Sequence, residues 1–172
     1  MSETVIQVTS LGKRIKGKTI LEDISFEINQ GDCVALIGPN GAGKTVLMSC
    51  ILGDKKPSGG QVLIDGKAGK AKNKIAVLLQ ENTIPNSLKV EELIAFFQSI
   101  SDNPLTNQEV QELLQFKEDQ YQQFADKLSG GQRRLLAFVL CLIDKPKILF
   151  LDEPTAGMDT STRQRFWEIV ND

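Results

Sequence analysis

The pattern G-x-x-x-x-G-K-[ST] occurs at Gly38-Pro39-Asn40-Gly41-Ala42-Gly43-Lys44-Thr45. Its glycines allow the backbone to wrap closely around a phosphate group with successive N–H groups turned inward. Residues 33–37, just before it, form a continuous apolar run, as in a strand that is buried on both faces. Residues 44–52, just after it, read as a helix. A loop between a buried strand and a helix N-terminus favours anions, so residues 38–45 predict a phosphate loop.

Two side chains at the end of the phosphate loop have specific predicted roles. Lys44 would place its ammonium group on the β- and γ-phosphates of a nucleotide, and Thr45 would offer its hydroxyl to Mg²⁺. The backbone of the loop, from Gly38 to Gly43, would supply the N–H groups that hold the phosphates. A glycine-rich turn that matches the pattern by chance is the alternative, but the flanking strand and helix argue against it.

Strands and helices alternate along the chain. Apolar periodicity predicts strands at 4–9, 20–28, 62–64, 75–79 and 148–151, in addition to 33–37. It predicts helices at 44–52, 90–100, 107–116 and 130–143, and a last helix from about Thr160. This alternation is typical of an α/β protein with a mainly parallel sheet.

A second candidate site follows the apolar residues 148–151. Asp152 and Glu153 come directly after this predicted strand, at the edge of the sheet where ligands of α/β proteins bind. We expect Asp152 to hold Mg²⁺ through water, and Glu153 to orient and deprotonate an attacking water molecule. Acidic residues at a strand end are common, so this pattern gains its meaning from the phosphate loop.

A third candidate site is the turn Leu128-Ser129-Gly130-Gly131-Gln132, called the signature turn below. Ser129 is a favourable N-cap for the helix that follows, and the two glycines leave the helix N-terminus open to an anion. By itself this turn is better explained as an ordinary N-cap.

The three segments in this order resemble those of the ABC ATPases. The resemblance implies a P-loop NTPase core with an N-terminal antiparallel β-subdomain and an inserted helical lobe. It divides the chain into a core at 1–80, a helical lobe at 81–147 and a return to the core at 148–172. It also implies ATP and Mg²⁺ as ligands, and a head-to-tail dimer with a second, identical subunit. In that dimer, Ser129, Gly130, Gly131 and Gln132 contact the γ-phosphate held by the partner's phosphate loop.

The resemblance assigns three further positions. Gln80 is similar to the glutamine that contacts Mg²⁺ and the attacking water, and Asp159 is similar to the aspartate at the dimer seam. Ile15 stands where members of the family stack an aromatic residue on adenine. Because an aliphatic side chain has no π face, we expect weaker or less selective adenine binding.

A histidine that the family places roughly thirty residues beyond the catalytic glutamate has no counterpart, since the chain contains no histidine. Counting from Glu153, that position falls beyond residue 172. We therefore expect a chain that is cut off before its natural end, in which ATP binding survives and turnover is impaired.

The resemblance favours the motor subunit of an ABC transporter, working against a membrane permease on the cytoplasmic face of the membrane. A soluble ABC-type ATPase acting on ribosomes or in DNA repair is the alternative. An unrelated P-loop enzyme, such as a GTPase or a small-molecule kinase, would give the signature turn no role. The formal net charge of −2 gives no reason to expect nucleic acid as a partner.

Composition is otherwise that of a globular protein, with 41% hydrophobic and 24% charged residues in a chain of 172. Cys33, Cys50 and Cys141 have apolar neighbours and no metal-binding spacing, so we expect buried, reduced thiols and a cytosolic protein. Phe96 and Phe97, within the acidic segment 81–127, are expected in the core, with a permease contact as the alternative.

Overall fold

The chain divides into two units, Met1–Lys72 and Asn73–Asp172. The computed structural model describes residues 3–68, 75–79 and 84–171. The phosphate loop belongs to the first unit. The signature turn, Asp152, Glu153 and Asp159 belong to the second, and each unit is described by itself.

The first unit is built on a four-stranded antiparallel sheet. Strands β1 (Thr4–Ile15) and β2 (Lys18–Asn29) form a hairpin. Strand β3 (Gly59–Ile64) pairs with the other edge of β1, and β4 (Lys67–Ala68) pairs with β3, which gives the order β2-β1-β3-β4. The sequence predicts the first three strands, and they are confirmed, although the hairpin is longer than the alternation indicates.

Helix α1 (Lys44–Ile51) follows the phosphate loop, as predicted. Its buried side chains are Leu47, Cys50 and Ile51. The sheet of this unit also has a buried apolar set, made of Ile6, Val8, Leu11, Leu21 and Ile64. Along β1, the buried Ile6 and Val8 alternate with the polar Gln7 and Thr9, so at this point one face of the strand is apolar and the other is polar.

The predicted strand at 33–37 is wrong. These residues belong to no strand among those described, and the side chains of Val34, Leu36 and Ile37 are 59%, 47% and 91% exposed. A run of apolar residues predicts burial, but a strand also needs neighbours that complete its ladder of hydrogen bonds. No described strand pairs with this segment, and Cys33 is consequently exposed rather than buried.

The second unit contains a parallel pair of strands. Strand β5 (Ile75–Leu78) pairs with β6 (Ile148–Leu151), with Leu78 opposite Leu151. Both strands were predicted, as was the parallel direction. Directly beyond the pair, the backbone N–H of Asp152 donates to the carbonyl of Leu78 at 2.9 Å. This bond fixes the start of the acidic turn relative to β5.

Helices make up most of the second unit. They are α2 (Val90–Ser99), α3 (Asn107–Leu114), α4 (Glu118–Tyr121), a 3₁₀ turn (Ala125–Lys127), α5 (Gly130–Leu142) and α6 (Thr160–Asn171). A shared apolar core joins α2, α3, α5 and α6 to β5. The rings of Phe138 on α5 and Phe166 on α6 lie 4.4 Å apart at its centre. The four longer helices are confirmed, whereas the short α4 was not predicted.

Arg165 of α6 connects that helix to the end of α3. Its Nε donates to the carbonyl of Leu113 at 3.0 Å, and its Nη2 donates to the carbonyl of Glu112. Its Nη1 forms an ion pair with Glu168 at 3.1 Å. The guanidinium thus donates to carbonyls in the last turn of α3. Carbonyls at a helix C-terminus have no N–H donor within their own helix.

Four side chains of these helices and strands were expected to be buried: Phe96, Phe97, Cys50 and Cys141. Phe96 is 54% exposed, because Val90, Leu93 and Phe97 share one face of α2 and Phe96 lies off that face. Phe97 is partly buried against the core, as expected. Burial raises the pKa of the Cys50 and Cys141 thiols, so both are protonated at neutral pH.

Candidate functional site

The phosphate loop ends in two glycines with left-handed backbone. Gly41 has φ 82° and Gly43 has φ 92°, conformations that favour glycine. A Cβ atom on Gly43 would stand 3.0 Å from Leu21 Cδ2 and 3.3 Å from Ile20 Cγ2. Gly43 is therefore required both by its backbone and by its close approach to β2, and this approach fixes where α1 begins.

The N-terminus of α1 is favourable for an anion. Gly43, at the N-cap position, gives no side-chain hydrogen bond, and the first turn of this helix contains no acidic residue. The backbone N–H groups at a helix N-terminus have no acceptor within the helix and carry a partial positive charge. Residues 31–42 are all exposed.

The ammonium group of Lys44 is turned back over the phosphate loop. Its Nζ donates to the carbonyl of Gly38 at 2.6 Å and to that of Pro39 at 2.9 Å. These bonds hold the cation across the mouth of the loop. The chemistry of the donors, a cation together with exposed backbone N–H groups, fits a phosphate group well.

The acidic turn follows β6. Asp152 is half-buried and Glu153 is exposed. Glu153 has φ 44°, in the left-handed region, where a residue with a Cβ is strained. Its carbonyl accepts a hydrogen bond from the N–H of Ala156 at 3.1 Å, which closes the turn.

The signature turn forms a reciprocal cap on α5. The N–H of Gln132 donates to Ser129 Oγ at 3.2 Å, and the N–H of Ser129 donates to Gln132 Oε1 at 3.1 Å. Ser129 is therefore the N-cap that the sequence predicts. The side-chain oxygens of both residues already accept from backbone N–H groups, and Gly130 is exposed while Gly131 is buried.

Asp159 is the N-cap of α6. Its carboxylate accepts hydrogen bonds from the hydroxyls of Ser161 at 2.6 Å and Thr162 at 2.7 Å, and from the N–H of Thr162 at 3.0 Å. The bond from Ser161, followed by those from Thr162, holds the pKa of this carboxyl far below its usual value. Asp159 also lies beside Gly131, so the signature turn and the start of α6 are in contact.

Sequence reasoning missed Arg134, which is 9% exposed. Its guanidinium donates to four backbone carbonyls around the acidic turn, those of Leu79, Asp152, Glu153 and Pro154. Burial lowers the pKa of Arg134, and the nearby Asp152 carboxylate is the strongest influence that raises it. The guanidinium still remains protonated at neutral pH, because the pKa of arginine is very high. The sequence did contain a signal for a buried arginine. Arg134 stands three residues after Gly131, on the same face of the helix, and is followed by the apolar residues Leu135 and Leu136, which are buried.

The second unit thus brings together the signature turn, Asp152, Glu153 and Asp159, with Arg134 among them. Gln80 lies outside the described residues. Ile15, at the end of β1, is half-buried and pairs with Lys18.

Comparison with known proteins extends the resemblance. A protein-family profile described as ABC transporter matches residues 21–156. The chain is 35% identical over 164 residues to a spermidine/putrescine import ATP-binding protein of Protochlamydia amoebophila, which covers 90% of this chain and 44% of the relative. It is 33% identical over 178 residues to a Nod factor export ATP-binding protein of Ralstonia nicotianae, covering 97% and 55%. The chain spans about half the length of these relatives.

Among solved structures, the chain is similar to a dimeric ATP-binding cassette bound to ADP and Pi in a post-hydrolysis state. The TM-score is 0.77 at 20% identity, with 96% of this chain and 81% of the other covered. At this identity the likeness concerns the fold, and it supports a P-loop NTPase core with an antiparallel β-subdomain. The matched profile and the sequence relatives show that the chain belongs to the ABC transporter family, in the group of its ATP-binding proteins.

Proposed function

We propose that this chain is the ATP-binding and ATP-hydrolysing motor subunit of an ABC transporter. The observation that carries the proposal is the start of α1, where exposed backbone N–H groups and the Lys44 ammonium converge on one loop. The named relatives include both import and export proteins, and the proposal concerns the motor that such systems have in common.

In this proposal the triphosphate of ATP binds along the backbone from Gly38 to Gly43. Lys44 exchanges its two carbonyl partners for phosphate oxygens. Mg²⁺, when bound, neutralises charge on the transferred phosphate, and Thr45, Asp152 and Gln80 are the residues that would hold it. Octahedral Mg²⁺ keeps several waters and needs few protein ligands, which suits one hydroxyl, one amide and one carboxylate.

Glu153 is the proposed general base. Its carboxylate is exposed and follows directly on the Mg²⁺-binding Asp152. A carboxylate there can orient a water molecule towards the γ-phosphate and accept its proton, with Gln80 contributing to the orientation of the same water. Replacing Glu153 by Gln keeps the shape and removes the basic group, so turnover should fall about 10²- to 10⁴-fold while ATP still binds.

The proposed working state is a head-to-tail dimer of two identical subunits. The signature turn of each subunit, Ser129 to Gln132, would face the phosphate loop of the other, and Asp159 would lie at the seam. Support comes from the position of the signature turn at the N-terminus of α5, which favours negative charge. The similar ATP-binding cassette with bound ADP and Pi is also a dimer.

The second proposed partner is a membrane permease, which would keep the subunit at the cytoplasmic face of the membrane. No helix in residues 3–68, 75–79 and 84–171 has the length and hydropathy of a bilayer span. Phe96 on α2 and Ile100, the C-cap residue of α2, are 54% and 65% exposed, in the helical lobe that we place at 81–147. An exposed apolar pair one helical turn apart suits a protein contact.

Calorimetric titration of MgATP into the wild-type protein and into Lys44→Ala tests the proposal. We expect saturable binding by the wild type and at least tenfold weaker binding by Lys44→Ala, because charge-assisted hydrogen bonds to phosphate are lost. Lys67→Ala, which removes an exposed lysine of the same unit, is the matched control and should bind as the wild type does. Equal affinity of all three proteins would exclude the phosphate loop as the site.

A further inference from the structure

Arg134 stands out as the one charged side chain that is buried among the described residues. It lies in the second turn of α5, on the same face as the buried Gly131 and Phe138. A buried guanidinium is costly unless its donors are satisfied. Its position therefore calls for a reason beyond packing.

The partners of Arg134 lie in the segments that follow two separate strands. Nη1 donates to the carbonyl of Leu79, directly after β5. Nη2 donates to the carbonyls of Asp152 at 2.9 Å and Glu153 at 3.3 Å, and Nε donates to that of Pro154 at 3.1 Å, all after β6. A guanidinium has five donors in a rigid planar fork, so it can hold several acceptors at once.

The segment held in this way is strained. Glu153 has φ 44°, in the left-handed region that a residue with a Cβ rarely adopts. Arg134 binds the carbonyl of Glu153 itself and those of both neighbours. Three bonds on consecutive carbonyls restrict the backbone angles on either side of Glu153, and these angles set the direction of its carboxylate.

We infer that Arg134 is a positioning residue, which holds the left-handed turn at Glu153 and so orients the carboxylate that serves as base. This inference rests on the proposed function. Arg134 also belongs to the helix whose N-terminus carries the signature turn. A displacement of α5 on engagement of the signature turn would be transmitted to Glu153 through a single side chain.

A lysine cannot replace Arg134 in this role. Its ammonium is a compact point charge with three donors, whereas the four carbonyls are spread over two segments and require the planar fork. Arg134→Lys thus keeps the charge and most of the volume but loosens the turn. A misplaced catalytic group lowers turnover strongly. Arg134 is not among the residues proposed to bind the nucleotide, so its replacement should leave substrate binding nearly unchanged.

The test is made on the full-length protein with Arg134→Lys and Arg134→Gln, and with Arg133→Lys as matched control. Arg133 is the neighbouring arginine, whose Nη2 donates to Asn86 Oδ1 at 2.9 Å. We expect Arg134→Lys to lower kcat about 10- to 100-fold, with KM and the MgATP Kd within about twofold of the wild type. Arg134→Gln should lower kcat at least as much, and Arg133→Lys should change it by less than twofold.

A double-mutant cycle separates positioning from a structural role. In a Glu153→Gln background, measured in single turnovers, Arg134→Lys should cause little further loss, because the group that it orients is already absent. An equal loss in both backgrounds would overturn the inference. Loss of folded protein in both Arg134 variants, judged by thermal melts, would assign Arg134 to folding and also overturn it.

The inference and the proposed function fail in different ways. A wild-type protein that binds no MgATP would contradict the proposed function. A wild type that hydrolyses ATP, together with an Arg134→Lys variant of the same kcat, would leave that function in place and overturn the positioning role.

Discussion

Gly131 of α5 lies directly against Asp159: a Cβ atom on Gly131 would stand 3.2 Å from Asp159 Oδ2 and 3.3 Å from Met158 Cα. These distances are shorter than ordinary contact, so the neighbour has to move if a methyl group is added. The Asp159 carboxylate is held by three hydrogen bonds and cannot move without weakening them.

Gly131→Ala should therefore destabilise the protein. Overpacking a well-packed position costs roughly 1–3 kcal/mol, more than alanine gains over glycine in a helix. Gly130→Ala is the matched control, because a Cβ on Gly130 meets nothing within 4 Å. Denaturant unfolding should give a lower free energy of unfolding for Gly131→Ala and an equal or higher one for Gly130→Ala. The reverse order would contradict the contact with Asp159.

Asp159 should make stability depend on pH. Its pKa is lowered by the hydroxyls of Ser161 and Thr162, so its contribution is present above the unfolded value, about 3.9, and is lost as pH falls below that value. Asp159→Asn keeps an acceptor oxygen but cannot titrate. Its Tm should lie below that of the wild type at pH 7, and the difference should shrink as pH falls towards 3.

Ser161→Ala provides the control for that titration. Ser161→Ala removes the largest cause of the lowered pKa of Asp159. In this background, the Tm difference between Asp159 and Asp159→Asn should therefore change less with pH. A Tm difference that stays constant between pH 7 and pH 3 would show that the carboxylate is not selectively stabilised.

Phe166→Ala should be the most destabilising of the substitutions considered. Phe166 is fully buried, and its ring lies 4.4 Å from that of Phe138. Truncating such a residue leaves a cavity and costs roughly 3–5 kcal/mol. The neighbouring Trp167 is 44% exposed, so Trp167→Ala should cost about 1 kcal/mol. Urea unfolding of both variants measures the contrast, and similar losses would mean that α6 is not anchored through Phe166.

Replacing Phe96 and Ile100 together by serine should reduce assembly with a permease without unfolding the protein. Both side chains are largely exposed, so the Tm should change by no more than a few degrees. Phe124→Ser, at a phenylalanine that is 46% exposed elsewhere in the unit, is the control. Co-purification with the permease should fall only for the variant with both Phe96 and Ile100 replaced. Unchanged recovery would move the proposed contact away from this helix.

Local signals predicted much of the fold. Helices α5 and α6 begin where their caps, Ser129 and Asp159, are found, and the glycines before Lys44 correctly mark the start of α1. The apolar run at 33–37 could not show that these residues belong to no described strand, because a strand ladder depends on partners distant in sequence.

Arg134 escaped prediction for a related reason. Its partner Leu79 lies 55 residues away in sequence, so no local pattern reports the contact. The acidic turn was recognisable from Asp152 and Glu153, but its left-handed backbone was not, since glutamate rarely adopts that conformation. The sequence predicts which groups carry the chemistry, and the structure adds how the backbone of Glu153, one of them, is held.

Two adjacent residues of α6 join three helices. Phe166 packs on Phe138 of α5, and Arg165 binds the last carbonyls of α3. None of these helices can open to solvent without breaking the contacts of the other two, so we expect them to form one cooperative opening unit. In native-state hydrogen exchange, the slowest amide protons of α3, α5 and α6 should share a common opening free energy. Exchange of the amide protons in α6, the helix that begins at the proposed dimer seam, would then report on the opening of α3 and α5 as well.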